Sequence, residues 1–234
     1  MKILAVDTAT EACSAALWVN GEILERYRLA PREHNKIILP MIEELLQEAG
    51  IRLGHLDGIA LGRGPGSFTG VRIATGVVQG LALGTGVPIV PVSTLAALAL
   101  DGLLDSAANG YTYAHAAIDA RMGEVYWATY KRLTENEVEL IGEETVIAPE
   151  LTPELNVEKA IGIGSGWVTY ASILQNRRHG TKIEILGERF PRAGMIARLS
   201  VASFLNGNTC LPDEIEPVYL RNDVAKKPAK KPVN

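Results

Sequence analysis

Short apolar runs separated by turn residues fill the first 107 residues and predict a strand-rich half with three helices. Apolar residues at helical spacing from His34 to Ala49, followed by Gly50, predict the first helix. Asn20-Gly21 predicts a hairpin turn, since both residues tolerate positive φ. A second helix is expected from a cap at Ser67 or Thr69 to about Leu83, and Ser93 can cap a third. The predicted strands of this half are 2–7, 13–19, 22–29, 58–61 and 87–92.

The second half repeats the same order of elements. Strands are predicted at 111–118, 124–132, 137–147, 160–163 and 181–186. One helix is predicted to follow the glycine loop 164–166 and to run to about 178, and another from about 191 to 205. Both halves place an aspartate after their first strand and a Gly-x-Gly loop between a later strand and a helix. We therefore predict an α/β, two-lobe actin-like ATPase (ASKHA, ribonuclease H-like) fold, in which each lobe is a mixed sheet flanked by helices. The expected domains are residues 1–107, which carry the first three helices, and residues 108–220.

Composition adds limits on partners and location. The 234 residues are 47% hydrophobic and 21% charged, and no apolar run reaches the ~20 residues of a membrane span. The net charge of −4 argues against a chain that binds nucleic acid alone. The only basic cluster lies in residues 221–234, which we expect to be a disordered tail. Two cysteines give no disulfide framework and no signal peptide is visible, so a cytoplasmic protein is expected.

Glycine loops at the start of predicted helices offer backbone N–H groups to phosphates, and aspartates in the two hairpins could serve a metal. Tight strand-to-helix turns require glycine for steric reasons alone, however, so the same loops are compatible with a purely structural role. No P-loop or Rossmann pattern is present. The candidate residues of the nucleotide site are Asp7, Gly64, Gly66, Ser67, Asp119, Gly164 and Gly166.

Metal and nucleophile patterns are missing from the sequence. The histidines His34, His55, His115 and His179 are far apart and have no cysteine beside them. No Gly-x-Ser-x-Gly elbow occurs. We predict no metal ligand and no catalytic residue.

The second helix carries a glycine every four residues, at Gly76, Gly80 and Gly84, which we call the glycine ridge. Each helical glycine costs about 0.5–1 kcal/mol relative to alanine, and close approach of another helix would offset that cost. Periodicity leaves open whether that helix belongs to this chain or to a partner. The predicted partner surface comprises Ile38, Met41, Ile42, Leu45, Ile73, Gly76, Val77, Gly80 and Gly84.

Five segments together resemble the TsaB (YeaZ) family over nearly the full chain. The Gly-Arg-Gly-Pro-Gly-Ser-Phe-Thr-Gly and Ile-Asp-Ala-Arg-Met-Gly-Glu-Val-Tyr blocks are the most specific of these. The segments are 3–14, 31–34 leading to Leu39-Pro40, 62–72, 118–126 and 216–222.

The resemblance implies a two-lobe subunit that binds the transferase TsaD, and with it the ATPase TsaE, for threonylcarbamoyl transfer to the adenosine beside the anticodon. It implies contact through the two first-lobe helices, a homodimer in the absence of TsaD, and tRNA contact only through the complex. TsaD carries a His-x-x-x-His metal pair after its fifth strand, whereas residues 92–98 here contain no histidine. We therefore expect a non-catalytic scaffold. The isolated chain is expected to hold no cofactor, although a nucleotide at the junction with TsaD is left open, and a nucleotide-binding ATPase or phosphotransferase is the alternative.

Overall fold

The computed structural model describes residues 1–221, apart from the side chain of Ser106, so nearly all of the predicted basic tail lies outside the described residues. Among residues 1–221, no helix is both long enough and apolar enough to cross a membrane. The strands are β1 Lys2–Asp7, β2 Ala12–Val19, β3 Glu22–Leu29, β4 Gly58–Gly62, β5 Ile89–Val92, β6 Tyr113–Arg121, β7 Glu124–Arg132, β8 Val138–Ile147, β9 Lys159–Ile163 and β10 Lys182–Ile185. The helices are α1 His34–Ala49, α2 Phe68–Thr85, α3 Thr94–Leu104, α4 Ser165–Thr169, α5 Ala171–Asn176 and α6 Ala193–Leu205.

The strands form two five-stranded sheets of identical topology. The first has the order β3-β2-β1-β4-β5, and the second, taken from its β8 edge, has the order β8-β7-β6-β9-β10. In each sheet the three strands of a meander pair antiparallel, and the last two strands add in parallel on the other side. This repeat confirms the predicted fold class.

Two local predictions are corrected. The single helix expected up to about residue 178 is split into α4 and α5 at Tyr170, whose φ of −122° is not helical. Strand β6 continues past Asp119 to Arg121, and the hairpin closes with positive φ at Arg121, Met122 and Gly123.

Each sheet buries both faces. Helices α1 and α2 cover one face of the first sheet, where Ile38, Leu45 and Val78 pack on Leu4 and Leu17. Helix α6 covers the opposite face through Ala193, Ile196 and Ala197. The second sheet lies between α3 on one side and the short helices α4 and α5 on the other.

The predicted ranges 1–107 and 108–220 separate the strands of the two sheets but not their helices. Helix α3, from the first range, packs on β6 and β7, and α6, from the second range, packs on β1 and β2. The reason is composition: nine of the eleven residues of α3 are buried, so the helix needs apolar partners on nearly every side. Residue 107 is therefore the division between the sheets rather than between two independent packing units.

Candidate functional site

The glycine ridge lies on the outer face of α2. Gly76, Gly80 and Gly84 are all exposed, and a Cβ built on any of them would have no heavy atom within 4 Å. Ile73 and Val77, on the adjacent row of the helix, are half-buried. Nothing in residues 1–221 therefore approaches the backbone along this ridge.

Four residues predicted for the partner surface belong instead to the core. Their exposed fractions are at most 6%, because the apolar face of α1 packs on the first sheet. A strongly apolar arc on a helix indicates burial, but one sequence does not say what buries it. The corrected residues are Ile38, Met41, Ile42 and Leu45.

The outward side of the α1–α2 pair offers other apolar groups. Leu39 on α1 is 51% exposed, and Leu83 on α2 is 73% exposed. A shallow groove of about 630 Å³ runs between the end of α1 and α2, lined by Leu39, Leu46 and Leu81 together with Glu43 and Gln47. These side chains, rather than the buried row, flank the ridge.

The glycine loops have mainly steric roles. A side chain at Gly164 or Gly166 would overlap the backbone of Ala117 on β6. Gly64 lies under Val218, with positive φ of 93°. Three of the predicted nucleotide-binding glycines therefore serve close packing of the backbone, and none of the three lines the cleft that opens between the lobes.

Asp7 is fully buried at the end of β1. Its Oδ1 accepts a hydrogen bond from the Ala9 N–H at 3.1 Å, while its Oδ2 has no partner among the described residues. A side chain at Gly62 would overlap this carboxyl group. Burial raises the pKa of Asp7 to about 7, and the hydrogen bond from the Ala9 N–H only partly opposes that shift. Asp7 is a core group here and does not line the cleft.

A cleft of about 630 Å³ opens between the two lobes on the side of their first hairpins. Gly66, Ser67 and Asp119 are the members of the predicted nucleotide set that line it. Ser67 caps α2, and Asp119 accepts a hydrogen bond from the Arg121 N–H at 2.8 Å. The structure thus brings three predicted residues together and leaves the other four outside the cleft.

A segment from Glu216 to Arg221 crosses this cleft and joins the lobes. The Val218 N–H donates to the carbonyl of Arg63 at 2.9 Å in the first lobe. At the other end, Arg221 donates to the carbonyl of Arg121 at 3.3 Å and pairs with Glu124 in the second lobe. Tyr219 and Arg221 therefore form one wall of the cleft.

An aromatic cluster borders the cleft where α2 begins. The Arg72 guanidinium lies 3.5 Å from the ring centre of Phe68 and donates to the Tyr219 hydroxyl at 2.8 Å. The rings of Phe68 and Tyr219 lie 5.5 Å apart. Phe68 is 53% exposed, so much of its ring surface remains open to solvent.

Charges in the cleft are partly neutralised within the protein. Arg121 lies 3.0 Å from a Glu11 oxygen and 3.5 Å from an Asp119 oxygen, and this pairing also joins the two hairpins. Arg32 also lines the cleft, and no carboxylate among residues 1–221 lies within 4 Å of it.

The described residues contain no group of three or more His, Cys, Asp or Glu side chains arranged to hold a metal ion. His115 is buried, bonded to Thr129 at 2.8 Å, and burial lowers its pKa to about 3. His34 lines the cleft at the start of α1 with only 7% of its surface exposed, and its Nε2 has no partner among the described residues.

Residue-type reasoning missed most of the cleft. It gives no role to His34, Phe68 or Tyr219. The usable signal was the resemblance itself, because the five family-like segments supply every residue that lines the cleft. Residues as far apart in sequence as Ala9 and Arg221 thus meet at one place, which a single sequence does not show.

Comparisons with known proteins agree with the resemblance. Residues 26–189 match the family model TsaD: tRNA N6-adenosine threonylcarbamoyltransferase. The chain is 44% identical to the tRNA threonylcarbamoyladenosine biosynthesis protein TsaB of Escherichia coli (strain K12), with 97% of each chain covered. It is 39% identical to the protein of that name from Haemophilus influenzae, covering 97% of this chain and 96% of that one. The structure of YeaZ from Pseudomonas aeruginosa matches with a TM-score of 0.84 at 41% identity, covering 94% of this chain and 99% of that one.

Proposed function

The chain belongs to the TsaB (YeaZ) family of tRNA threonylcarbamoyladenosine biosynthesis proteins, and from this premise we propose that it is a non-catalytic subunit that binds a TsaD-type transferase through the glycine ridge. The subunit holds the transferase in its competent arrangement. It makes no covalent contribution to the transfer.

One observation supports this proposal above the others: three helical glycines face open space. A glycine in a helix is retained at a cost unless something approaches its backbone. Nothing within residues 1–221 approaches Gly76, Gly80 or Gly84. In the free chain, therefore, no close packing offsets the cost of these three glycines. A helix of another subunit, packed at close distance along the ridge, would supply it.

Substitution of the central glycine tests this docking. Gly80→Leu should abolish co-purification with the TsaD-type subunit, because the leucine side chain would separate the two helices. The variant should keep the circular dichroism spectrum of the parent, since the position is open in the free chain. Gly54→Leu is the matched control: Gly54 lies outside α2, is also exposed, has no positive φ, and has no heavy atom within 4 Å of a Cβ built on it. Unchanged co-purification of Gly80→Leu would refute the ridge as the docking surface.

The absence of catalysis rests on residues 92–98, where a His-x-x-x-His pair would be expected in a TsaD-type enzyme. Residues 92–98 contain no histidine. Ser93 caps α3, and Leu95, Ala97 and Leu98 are completely buried. The purified chain should not modify tRNA unaided, and adding the TsaD-type subunit should restore the reaction. Modification by the chain alone, measured by nucleoside analysis of the tRNA, would overturn this part of the proposal.

Three further partner assignments follow from the same proposal. A TsaE-type ATPase joins through the complex, tRNA contacts the transferase rather than this chain, and two copies pair along the ridge when the transferase is missing. Light scattering distinguishes the last case: the dimer mass should disappear when TsaD-type subunit is added, and Gly80→Leu should be monomeric. A dimer that persists in Gly80→Leu would place the contact elsewhere.

A further inference from the structure

The segment that joins the lobes is already fastened to the first lobe before it reaches the second. We call residues 210–221 the strap. At its start, Cys210 exchanges two backbone hydrogen bonds with Ile89 on the edge strand of the first sheet, at 2.9 and 3.1 Å. In its middle, Ile215 is only 5% exposed and packs in the core that α2 covers. These two contacts keep most of the strap on the first lobe.

Side chains of α2 hold the strap at two further points. Gln79 donates a hydrogen bond to the carbonyl of Pro212 at 2.9 Å. Arg72 donates to the hydroxyl of Tyr219 at 2.8 Å, and the Phe68 and Tyr219 rings lie 5.5 Å apart. The strap is therefore attached to the helix that carries the glycine ridge.

The exposed row of α2 that forms the glycine ridge continues into these attachments. Residues four apart share one side of a helix, and the same spacing leads from Gly76 to Arg72 and Phe68. Both side chains are exposed, as the glycines are. A partner helix that packs along the ridge and continues for two more turns would cover Arg72 and Phe68, and with them the side chain of Tyr219.

The last residues of the strap are held less firmly than its middle. Tyr219 is 41% exposed and Phe68 is 53% exposed, whereas Ile215 is almost completely buried. Segments with few buried apolar contacts open locally at a low cost in free energy. The end of the strap is therefore the part that local opening releases first, while the middle stays in the core.

The end of the strap also holds the first hairpin of the second lobe, between β6 and β7. Arg221 pairs with Glu124 and donates to the carbonyl of Arg121 at 3.3 Å. The Arg221 side chain is 17% exposed, so water screens this pair less than the pair between Arg121 and Glu11, in which the arginine is 74% exposed. Release of the strap at Tyr219 and Arg221 would thus free one side of this hairpin.

We propose that a docked helix of the TsaD-type subunit extends past Gly76 over Arg72 and Phe68, holds the end of the strap closed, and through Arg221 stabilises the first hairpin of the second lobe. The inference rests on the proposed function, since it requires docking along the ridge. A partner that contacts only the closed strap favours that arrangement by the free energy of those contacts. Docking on the first lobe therefore orders a hairpin of the second, and coupling between sites is typically about 5-fold or more.

Hydrogen exchange of the full chain, free and in complex with the TsaD-type subunit, tests this coupling. Docking should slow exchange in residues 119–125 about 5-fold or more. Arg221→Gln should still co-purify with the partner, but the slowing should disappear, because the strap no longer pairs with Glu124. Arg28→Gln, at an exposed arginine on β3, is the matched control and should keep the slowing.

The second variant, Tyr219→Ala, removes the contact with Phe68 and guards against misfolding of Arg221→Gln. It should also lose the slowing in residues 119–125. Slowing that persists in either variant would overturn the inference, because the partner would then cover the hairpin directly. Unchanged exchange in residues 119–125 when the parent chain docks would overturn it as well. Failure of the docking proposal is distinct, since it appears as unchanged co-purification of Gly80→Leu.

Discussion

The carboxyl group of Asp7 shows how burial alters a residue whose type suggests chemistry. An aspartate after the first strand of this fold predicts a group for a metal or a phosphate. Here Gly62 and the Ala9 N–H enclose it, and Oδ2 has no partner in the described chain. The sequence reveals the residue type and its place after β1, but the depth of burial depends on residues far away along the chain, such as Gly62.

Asp7→Asn should raise the free energy of unfolding relative to the parent, and this gain should be larger at pH 7 than at pH 4. The unfolded chain releases the Asp7 proton near its ordinary pKa of 3.8, whereas the folded chain holds it to about pH 7. The free energy of unfolding of the parent therefore falls as the pH rises between these values, by about 1.4 kcal/mol for each pH unit. The asparagine side chain does not titrate, so the variant does not show this fall.

Urea unfolding at pH 4, 5.5, 7 and 8 measures this difference. Asp213→Asn, at an exposed carboxylate, serves as the control. A stability difference between the Asp7 variant and the parent that is the same at every pH would show that the buried carboxyl group does not titrate in this range.

At the scale of elements, α1 and α2 were predictable in extent, because helical spacing, the Ser67 cap and the terminal glycines all agree. Which side of each helix is buried was not predictable from the sequence. On α2, glycines and alanines occupy several rows, so the pattern does not separate a buried small residue such as Ala74 from an exposed one such as Gly80. On α1, the apolar row that was predicted to face a partner covers the chain's own sheet.

Alanine at Gly76 or Gly84 should stabilise the isolated chain by about 0.5–1 kcal/mol at each position. The reason is that a Cβ enters open space at both sites while the helix gains the better helix former. Gly70→Ala, in the same helix, should destabilise instead, since its Cβ would overlap the Thr8 carbonyl. Thermal unfolding of the three variants checks the contrast, and destabilisation at Gly76 would mean that the ridge is covered in the free chain.

For the whole molecule, the repeated strand and helix order was sufficient to predict two sheets of one topology. It was not sufficient to predict which helix covers which sheet, because α3 and α6 are apolar on several sides and either sheet could receive them. The cleft was also beyond reach from residue types, because its walls come from five separate segments. The sequence thus predicted the elements better than the contacts between the halves.

Ile196→Ala on α6 should destabilise the protein by about 2–5 kcal/mol, although the residue lies 177 positions after the end of β2. Ile196 is fully buried against the first sheet, so hydrogen exchange in β1 and β2 should accelerate. Leu205→Ala in the same helix, where the side chain is 70% exposed, should have little effect. Faster exchange confined to β6 and β7 would contradict the assignment of α6 to the first sheet.

The placement of α6 also bears on how the chain matures on the ribosome. Strands β1 to β5 are translated first, yet the apolar face formed by Ile3, Ala5 and Ala60 stays uncovered until residues 193–205 have left the exit tunnel. The lobe that begins first is therefore finished last. During most of translation its open face is a surface for chaperones, and a premature stop anywhere before residue 193 releases a chain that cannot close it.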